Sequence, residues 1–402
     1  MSDPAGVLKR YEDVCEEMGV KPTPFIMKVL EKEKDDQLID PKDSMDIILR
    51  GNNYHLTDTR LTDADMLALY KTLANNVYVT GLDLRYNNFT DEGAVHIGKL
   101  LQETCALRNL HLQSNDIGPA GTEKIAKALQ TNETLASLKL NGNKIANKGG
   151  MHLAGCLQVN TSLQELDIGD ADLGTQSMIA LATVLHKNST LRALCVNRPI
   201  LSSKQEETTV HMSLMLKVNS TLKELHLQKC DIRDFGADRL VEALQHNIGL
   251  TYLDLSCNRI TRDGAKSFSK LLKQNTPLEI LDLGYNRIED DGAVSLSEAL
   301  ATLNSNLKTL VITSNQIQAT GLCAIARAMN TNTTLTSVFI WGNCLEELAC
   351  VAFNSLIESG RLDMKDTDVK PYIVDGHVML SELNHGIRRH YYWTPFYGPD
   401  AD

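Results

Sequence analysis

The sequence is short of aromatic residues, at 5%, and short of cations, with 40 Lys and Arg against 51 Asp and Glu in 402 residues and a formal net charge of −11. That balance excludes a direct nucleic-acid-binding surface, which needs clustered Lys and Arg to neutralise phosphates, and it disfavours an anionic membrane surface. No run of about 18 apolar residues occurs, and the opening MSDPAGVLKRYEDVCEEMG has no apolar core of a signal peptide. The expectation is an intracellular, soluble protein. Its nine cysteines, at 15, 105, 156, 195, 230, 257, 323, 344 and 350, form no C-x-x-C pair and have no His at zinc-finger spacing. Free, mostly buried thiols in a reducing compartment are therefore expected, with no metal and no other cofactor. Nucleotide-binding loops and nucleophile elbows are also missing. The triplets GNN at 51–53 and NGN at 141–143 belong to repeat turns, so no catalytic residue is nominated and the chain reads as a non-enzyme. Triplets such as Asn188-Ser189-Thr190 and Asn219-Ser220-Thr221 recur at one repeat position and read as structural, not as glycosylation sites.

What is present is a repeat. The pattern L-x-x-L-x-L-x-x-N-x-I aligns ten copies starting at Val79, Leu107, Leu135, Leu163, Leu191, Leu222, Leu250, Leu278, Leu307 and Leu335, spaced 28, 28, 28, 28, 31, 28, 28, 29 and 28 residues apart. The clearest read LRNLHLQSNDI, LTYLDLSCNRI and LEILDLGYNRI. The L-x-L core has period two and predicts a short strand; the following segment has i, i+3, i+4 apolar spacing, as with Ala94, Ile97, Leu100 and Leu101, and predicts a helix. Gly93, Gly121, Gly149, Gly236, Gly264, Gly292 and Gly321 stand fourteen residues after a start, where the lack of a Cβ suits a tight entry into the helix. Asn87, Asn115, Asn143, Asn258, Asn286, Asn315 and Asn343 at the ninth position are expected to form a buried structural ladder bonded to loop backbone. Asn132, Asn160, Asn188, Asn219, Asn247, Asn275 and Asn332, three residues before a start, suit helix ends, where Asn tolerates the left-handed conformation. Strands need about 4.8 Å of spacing and helices about 8–10 Å, so a stack of such units must curve. The fold expected is an α/β right-handed solenoid, a horseshoe with a parallel β-sheet on the concave face and α-helices on the convex face.

The repeat length, the L-x-x-L-x-L-x-x-N core and the full helix resemble the ribonuclease-inhibitor type of leucine-rich-repeat protein over roughly residues 44–360. The tail KPYIVDGHVMLSELNHGIRRHYYWTPFYG further resembles that of one intracellular subgroup of the family. That resemblance implies an interaction protein of cytoplasm, nucleus and nucleolus, with nucleolar protein partners and a link to stem- and germ-cell differentiation.

Residues 1–43 read as a helical cap, with Val7, Leu8, Tyr11, Val14, Cys15 and Met18 on one face and a second helix begun by Pro24. Residues 44–360 read as the solenoid, a degenerate first unit (a strand near Ile47 and a helix over 63–73) plus ten repeats. Residues 361–402 read as a hairpin about Asp375-Gly376 followed by an aromatic tail. Ala171, Pro199 and Cys230 replace the ladder Asn in three consecutive copies, and the polar stretch 202–209 carries an insertion, so the ladder is expected to be weakest over 169–210, as a tolerated irregularity or a hinge.

The fifth and seventh residues of each copy should point away from the core. Read along these rows, Tyr252, Asp254, Asp282 and Tyr285 form an acidic and aromatic cluster beside Val311, Phe339 and Trp341, suited to a basic or apolar protein segment. Phe339 and Trp341 are both expected to be exposed. Tyr391, Tyr392, Trp393 and Phe396 could dock a partner, or could fold back on the chain's own cluster. His111 and His226 should lie beside Asp83 and Asp254 but several strands apart, with no catalytic dyad between them. The expectation is a non-catalytic protein-binding scaffold, monomeric outside its complexes. Two alternatives stay open: a GTPase- or nuclease-regulating solenoid, and a structural component of a ciliary axoneme.

Overall fold

In each repeat the fourth and sixth positions turn inward, and the leucines there, such as Leu110 with Leu112 and Leu253 with Leu255, are fully buried. The structure, a computed structural model, describes residues 4–39, 43–52, 60–201 and 206–383. It divides into two units, Met1–Lys204 and Gln205–Asp402, a boundary that falls in the irregular stretch after Pro199.

The first unit runs α1 (Pro4–Met18), α2 (Pro24–Ile39), β1 (Met45–Ile48), α3 (Asp63–Leu73), β2 (Val79–Asp83), α4 (Asp91–Glu103), β3 (Asn109–His111), α5 (Pro119–Leu129), β4 (Ser137–Lys139), α6 (Ala146–Leu157), β5 (Glu165–Asp167), α7 (Thr175–Leu185) and β6 (Ala193–Cys195). Its strands pair in sequence order, all parallel. The second runs α8 (Glu207–Leu216), β7 (Glu224–His226), α9 (Asp234–Leu244), β8 (Tyr252–Asp254), α10 (Arg262–Leu272), β9 (Ile280–Asp282), α11 (Glu289–Thr302), β10 (Thr309–Val311), α12 (Ala319–Thr331), β11 (Ser337–Phe339) and α13 (Glu347–Glu358). A 3-10 turn (Met364–Asp366) and the antiparallel hairpin β12 (Val369–Val374) with β13 (His377–Glu382) follow. Strands β7 to β11 are again parallel and in order. Each unit is thus a stretch of leucine-rich-repeat α/β solenoid, with strands forming one side and helices the other.

The chain bends sharply after each strand. The eighth residue of every copy, Tyr86, Ser114, Gly142, Asp170, Arg198, Lys229, Cys257, Tyr285, Ser314 and Gly342, has a positive φ. Only two of these are glycine, so the left-handed geometry is imposed on side chains that resist it by about 1–2 kcal/mol each. What imposes it is hydrogen bonding between copies. The Tyr285 amide donates to Thr313 O at 2.7 Å and the Ser114 amide to Asn141 O at 3.0 Å. The ninth-position Asn amides complete the pattern: Asn286 Nδ2 donates to Leu255 O and Leu283 O, both at 3.0 Å, and its Oδ1 accepts from Ile260 N at 2.9 Å. Asn87, Asn115, Asn143, Asn258, Asn315 and Asn343 likewise donate to a carbonyl of the preceding copy. At Ala171, where no side-chain amide is present, the Ala146 amide still donates to the Ala171 carbonyl at 3.1 Å, as the Glu289 amide does to the Asn315 carbonyl.

The row of Asn three residues before each start works differently from the expectation. Of that row only Asn275 is left-handed. The others use their side chains: Asn132 Nδ2 donates to Leu101 O at 2.7 Å while Oδ1 accepts from Thr134 N and Leu135 N, and Asn160, Asn188, Asn247 and Asn332 repeat the bond to the previous copy. They form a second ladder, because the carbonyls at the last turn of one helix need a donor from the next.

A third set joins consecutive helix starts. Asp63, Asp91, Asp234 and Asp290 each accept an amide hydrogen bond at the beginning of the next helix, as Asp234 does from Thr261 N at 2.8 Å and Gly264 N at 3.0 Å. An anion there is favoured by the helix dipole. The fifteenth-position glycines make room for it: a Cβ on Gly264 would sit 2.7 Å from Asp234 Oδ1 and one on Gly93 2.6 Å from Asp63 Oδ1. None of these glycines has positive φ, so clearance and not turn geometry selects them.

The two ends carry substitutes for missing neighbours. Val7, Leu8, Tyr11, Val14 and Cys15 of α1 are buried and Met18 partly so. At the other end Asp368 accepts from Ile340 N at 2.8 Å and Trp341 N at 3.0 Å, capping the edge of β11, and Arg361 Nε donates to Met329 O at 2.7 Å. The hairpin turn has Asp375 and Gly376 both at positive φ, as a two-residue loop of this type requires.

Two glycine substitutions separate clearance from propensity. Gly264→Ala is expected to destabilise by about 2 kcal/mol, in the range of overpacking. Gly155→Ala in α6, where an added Cβ meets nothing within 4 Å, is expected to stabilise by about 0.5–1 kcal/mol. Urea unfolding of both variants checks this, and equal effects of the same sign would rule it out.

Candidate binding face

Parallel, in-register pairing aligns the fifth positions across the strands. In the first unit the row is Asp83, His111, Lys139, Asp167 and Cys195; in the second it is His226, Asp254, Asp282, Val311 and Phe339. These side chains stand on the side of the sheet opposite the buried leucines.

Asp83 is the hub of the first row. It accepts from Arg50 Nε at 2.7 Å and from Arg85 Nε and Nη2 at 2.9 and 2.8 Å, and His111 Nδ1 lies 4.0 Å away. Burial pulls its carboxyl upward, but the bonds to His111, Arg85 and Arg50 win and hold it well below the ordinary carboxylate range. Lys139 is buried too, and desolvation draws its ammonium below the usual value against the pull of Asp167 and Glu165.

The second row has another balance. Asp254 accepts from His226 Nδ1 at 3.2 Å, Gln228 Nε2 at 2.7 Å and Ser256 N at 3.0 Å. His226 is raised above its ordinary value: burial lowers it, and Asp254 and Glu224 more than compensate. The Tyr252 ring meets the imidazole edge-on, centroids 4.7 Å apart. Asp282, on the adjacent strand, accepts from Gly284 N at 2.8 Å, and its carboxyl is pushed well up by burial and then by Asp254. The bond from a fifth-position carboxylate to the seventh-position amide recurs at Asp167 with Gly169. The signal was the D-x-G/S spacing, which sequence reading passed over, along with Glu224.

Exposure corrects one expectation. Tyr252 is 2% exposed, Asp254 0%, Asp282 3%, Val311 5% and Phe339 1%, whereas Tyr285 is 58% exposed. Trp341 is half-buried. The chain after α13 returns across the end of β11, with Ser337 Oγ donating to Asp366 at 3.2 Å beside the Asp368 cap. Tyr391, Tyr392, Trp393 and Phe396 lie outside the described residues. Among the described residues no group of three or more His, Cys, Asp or Glu could hold a metal ion, and no helix is long and apolar enough to cross a membrane.

The sequence model of the Leucine Rich repeat family matches residues 75–98, 105–126, 131–154, 159–182, 218–241, 246–269, 274–297 and 303–326, omitting the irregular fifth copy and the tenth. The chain is similar to leucine-rich repeat-containing protein 34 of Rattus norvegicus, 59% identical over 97% of this chain and 94% of that protein, and to its Homo sapiens counterpart, 56% identical over 100% and 86%. Among solved structures, a chain of the Rad7 and Elc1 complex in yeast is 14% identical, the match covering 93% of this chain and 91% of that one with a TM-score of 0.46.

Because Asp83 is held low, its contribution to stability is fully present above the unfolded carboxylate value, about 3.9, and is lost as pH falls through the folded value. Asp83→Asn is expected to cost about 3 kcal/mol at neutral pH, the scale of breaking a buried ion pair. The difference from the parent should narrow below about pH 4. Thermal unfolding between neutral and acid pH reads this, and a gap independent of pH would contradict it.

Proposed function

We propose that this chain, which belongs to the leucine-rich-repeat family shared with leucine-rich repeat-containing protein 34, is a non-catalytic protein-binding scaffold whose contact area is the sheet face of the second unit. The observation that carries this reading is the pair of in-register carboxylates, Asp254 and Asp282, framed by Tyr252, Val311, Phe339 and Trp341, with Tyr285 exposed beside them. The two Asn ladders and the helix-start carboxylates are committed to bonds between copies and leave the sheet-face rows as the varied part of the repeat. Carboxylates next to aromatic anchors favour a basic or apolar protein segment.

The finer reading follows the resemblance of the tail. Partners include nucleolar proteins, met in cytoplasm and nucleus, in a role tied to differentiation of stem and germ cells, and the chain is monomeric between encounters. The net charge of −11 supports a protein partner over a nucleic acid.

Tyr285 is the handle for testing this. As an exposed side chain it can be shortened with a stability change of about 0.5 kcal/mol or less. Tyr285→Ala is expected to weaken a purified partner by about tenfold or more, the loss of one aromatic anchor, while leaving the thermal midpoint in place. Phe339→Ala, by contrast, should destabilise by about 3–5 kcal/mol because that ring is in the core. Titration of partner against both variants decides: undiminished affinity of Tyr285→Ala places the contact area elsewhere.

A further inference from the structure

The helix side of the second unit departs from its own repeat at one place. In the copies with a fifteenth-position glycine, the residue nine further on is Gln102, Gln130, Gln158, Gln245, Lys273 or Asn330, and in α11 alone it is Ala301. Three residues after the glycine, Ala324 of α12 stands where earlier copies carry His96, Lys124, His152, Arg239 and then two serines. The copy starting at Leu278 is also one residue longer than its neighbours. The extra residue extends α11 to Thr302 and leaves Leu303 exposed behind it.

These departures meet in one groove of about 810 Å³ between α11 and α12. Val294 and Ala301 line it from α11, Ala324 and Ala328 from α12, and Leu303 from the loop after α11. Its hydroxyls are spent within their own helices: Ser297 Oγ donates to Val294 O at 2.7 Å, Thr302 Oγ1 to Glu298 O at 2.8 Å and Thr331 Oγ1 to Ala328 O at 3.0 Å. Charge stands on the banks. Lys273 and Arg327 are exposed cations, and Glu298 is the one carboxylate in the lining, which reverses the sign of a chain with 51 acidic against 40 basic residues. Lys273 Nζ lies 4.0 Å from Glu298, beyond hydrogen-bond reach, and Arg327 has no ion pair among the described residues.

We infer that this groove is a second contact surface, on the helix side of the unit, and that its occupant is an amphipathic α-helix of a partner protein carrying a carboxylate for Arg327. The groove runs from Thr320 to Thr331 of α12, three helical turns or about 16 Å, which matches apolar anchors at i, i+3 or i+4 and i+7 of a facing helix. Alanines on both walls let that helix approach to the near end of the usual 8–10 Å spacing. An extended segment fits less well, because its own amides and carbonyls need partners and the hydroxyls of the groove are already bonded; a helix arrives with its backbone satisfied. Arg327 selects an acidic helix over a basic one by charge complementarity. The groove lies across the leucine layer from Asp254 and Asp282, so this inference is independent of the reading of the sheet face.

The probe is a display library of four-turn helical peptides, about 15 residues each, selected on the full chain. The expected result is enrichment of sequences with an apolar residue at every third or fourth position and a carboxylate beside that stripe. Their affinity is expected to fall by about tenfold or more on Ala301→Gln, which fills the groove, and on Arg327→Glu, which reverses its charge. Ala301→Gln installs the residue that four other copies carry at this position, and Arg327 is exposed, so both variants should keep the parent's thermal midpoint. A library that yields no such peptide overturns the proposal, as do selected peptides that bind Ala301→Gln or Arg327→Glu as tightly as the parent. Tyr285→Ala separates the two surfaces. Groove peptides are expected to ignore it, whereas peptides lost on Tyr285→Ala and retained on Ala301→Gln belong to the sheet face, which sinks the groove and leaves the scaffold reading in place.

Discussion

Everything in this fold depends on how the backbone amides are satisfied at the bend after each strand. There the chain turns out of the sheet with a left-handed residue at the eighth position, and the next amides lose their strand partners. The ninth-position Asn replaces those partners from inside, and it does so with a carbonyl of the preceding copy, as Asn258 does with Leu227 O at 2.9 Å. A single copy therefore cannot satisfy itself. Order is passed between neighbours, which is why stability in such arrays behaves as a sum of repeat and interface contributions.

The same dependence fixes what the ends must look like. The last copy has no successor to offer an acceptor to its strand or a donor to its helix, and Asp368 and Arg361 supply those atoms from a chain that is no longer repeating. At the other end α1 and α2 occupy the place of a preceding copy. Tyr11 is buried there and accepts from Thr23 N at 3.1 Å, and desolvation pushes its hydroxyl up to about 12, so it stays a neutral hinge pin between the two helices.

Strands, helices and the Asp375-Gly376 turn were legible in the sequence because each rests on a local periodicity or a local dihedral demand. The left-handed eighth position was not, since eight of its ten residues carry side chains and nothing in Lys229 or Tyr285 announces the geometry. The second Asn row was seen but misread: a helix-end Asn suggests its own backbone conformation, and its partner, thirty residues upstream, is not a local feature. The fifteenth-position glycines were misread for the same reason, the obstacle to a Cβ including, at Gly93, Gly121, Gly264 and Gly321, a carboxylate of another copy. At the candidate site the rows and the His226–Asp254 proximity followed from register alone, whereas the burial of Phe339 did not, because register fixes which way a side chain points and not what lies over it.

The electrostatics of the two rows differ although the repeat is the same. In the first unit each buried charge has a described counterpart: Asp83 lies between Arg50 and Arg85 and its carboxyl is held low, so the network is complete and a ligand would have to break it. In the second unit two carboxylates occupy directly paired positions on adjacent strands, an arrangement that is unfavourable by itself, and Asp282 is pushed up, not down. His226, held above its ordinary value against burial by Asp254 and Glu224, faces Asp254 and not Asp282. Asp83, Asp254 and Asp282 are all fifth-position aspartates of the same repeat, yet the charges around them set three different balances.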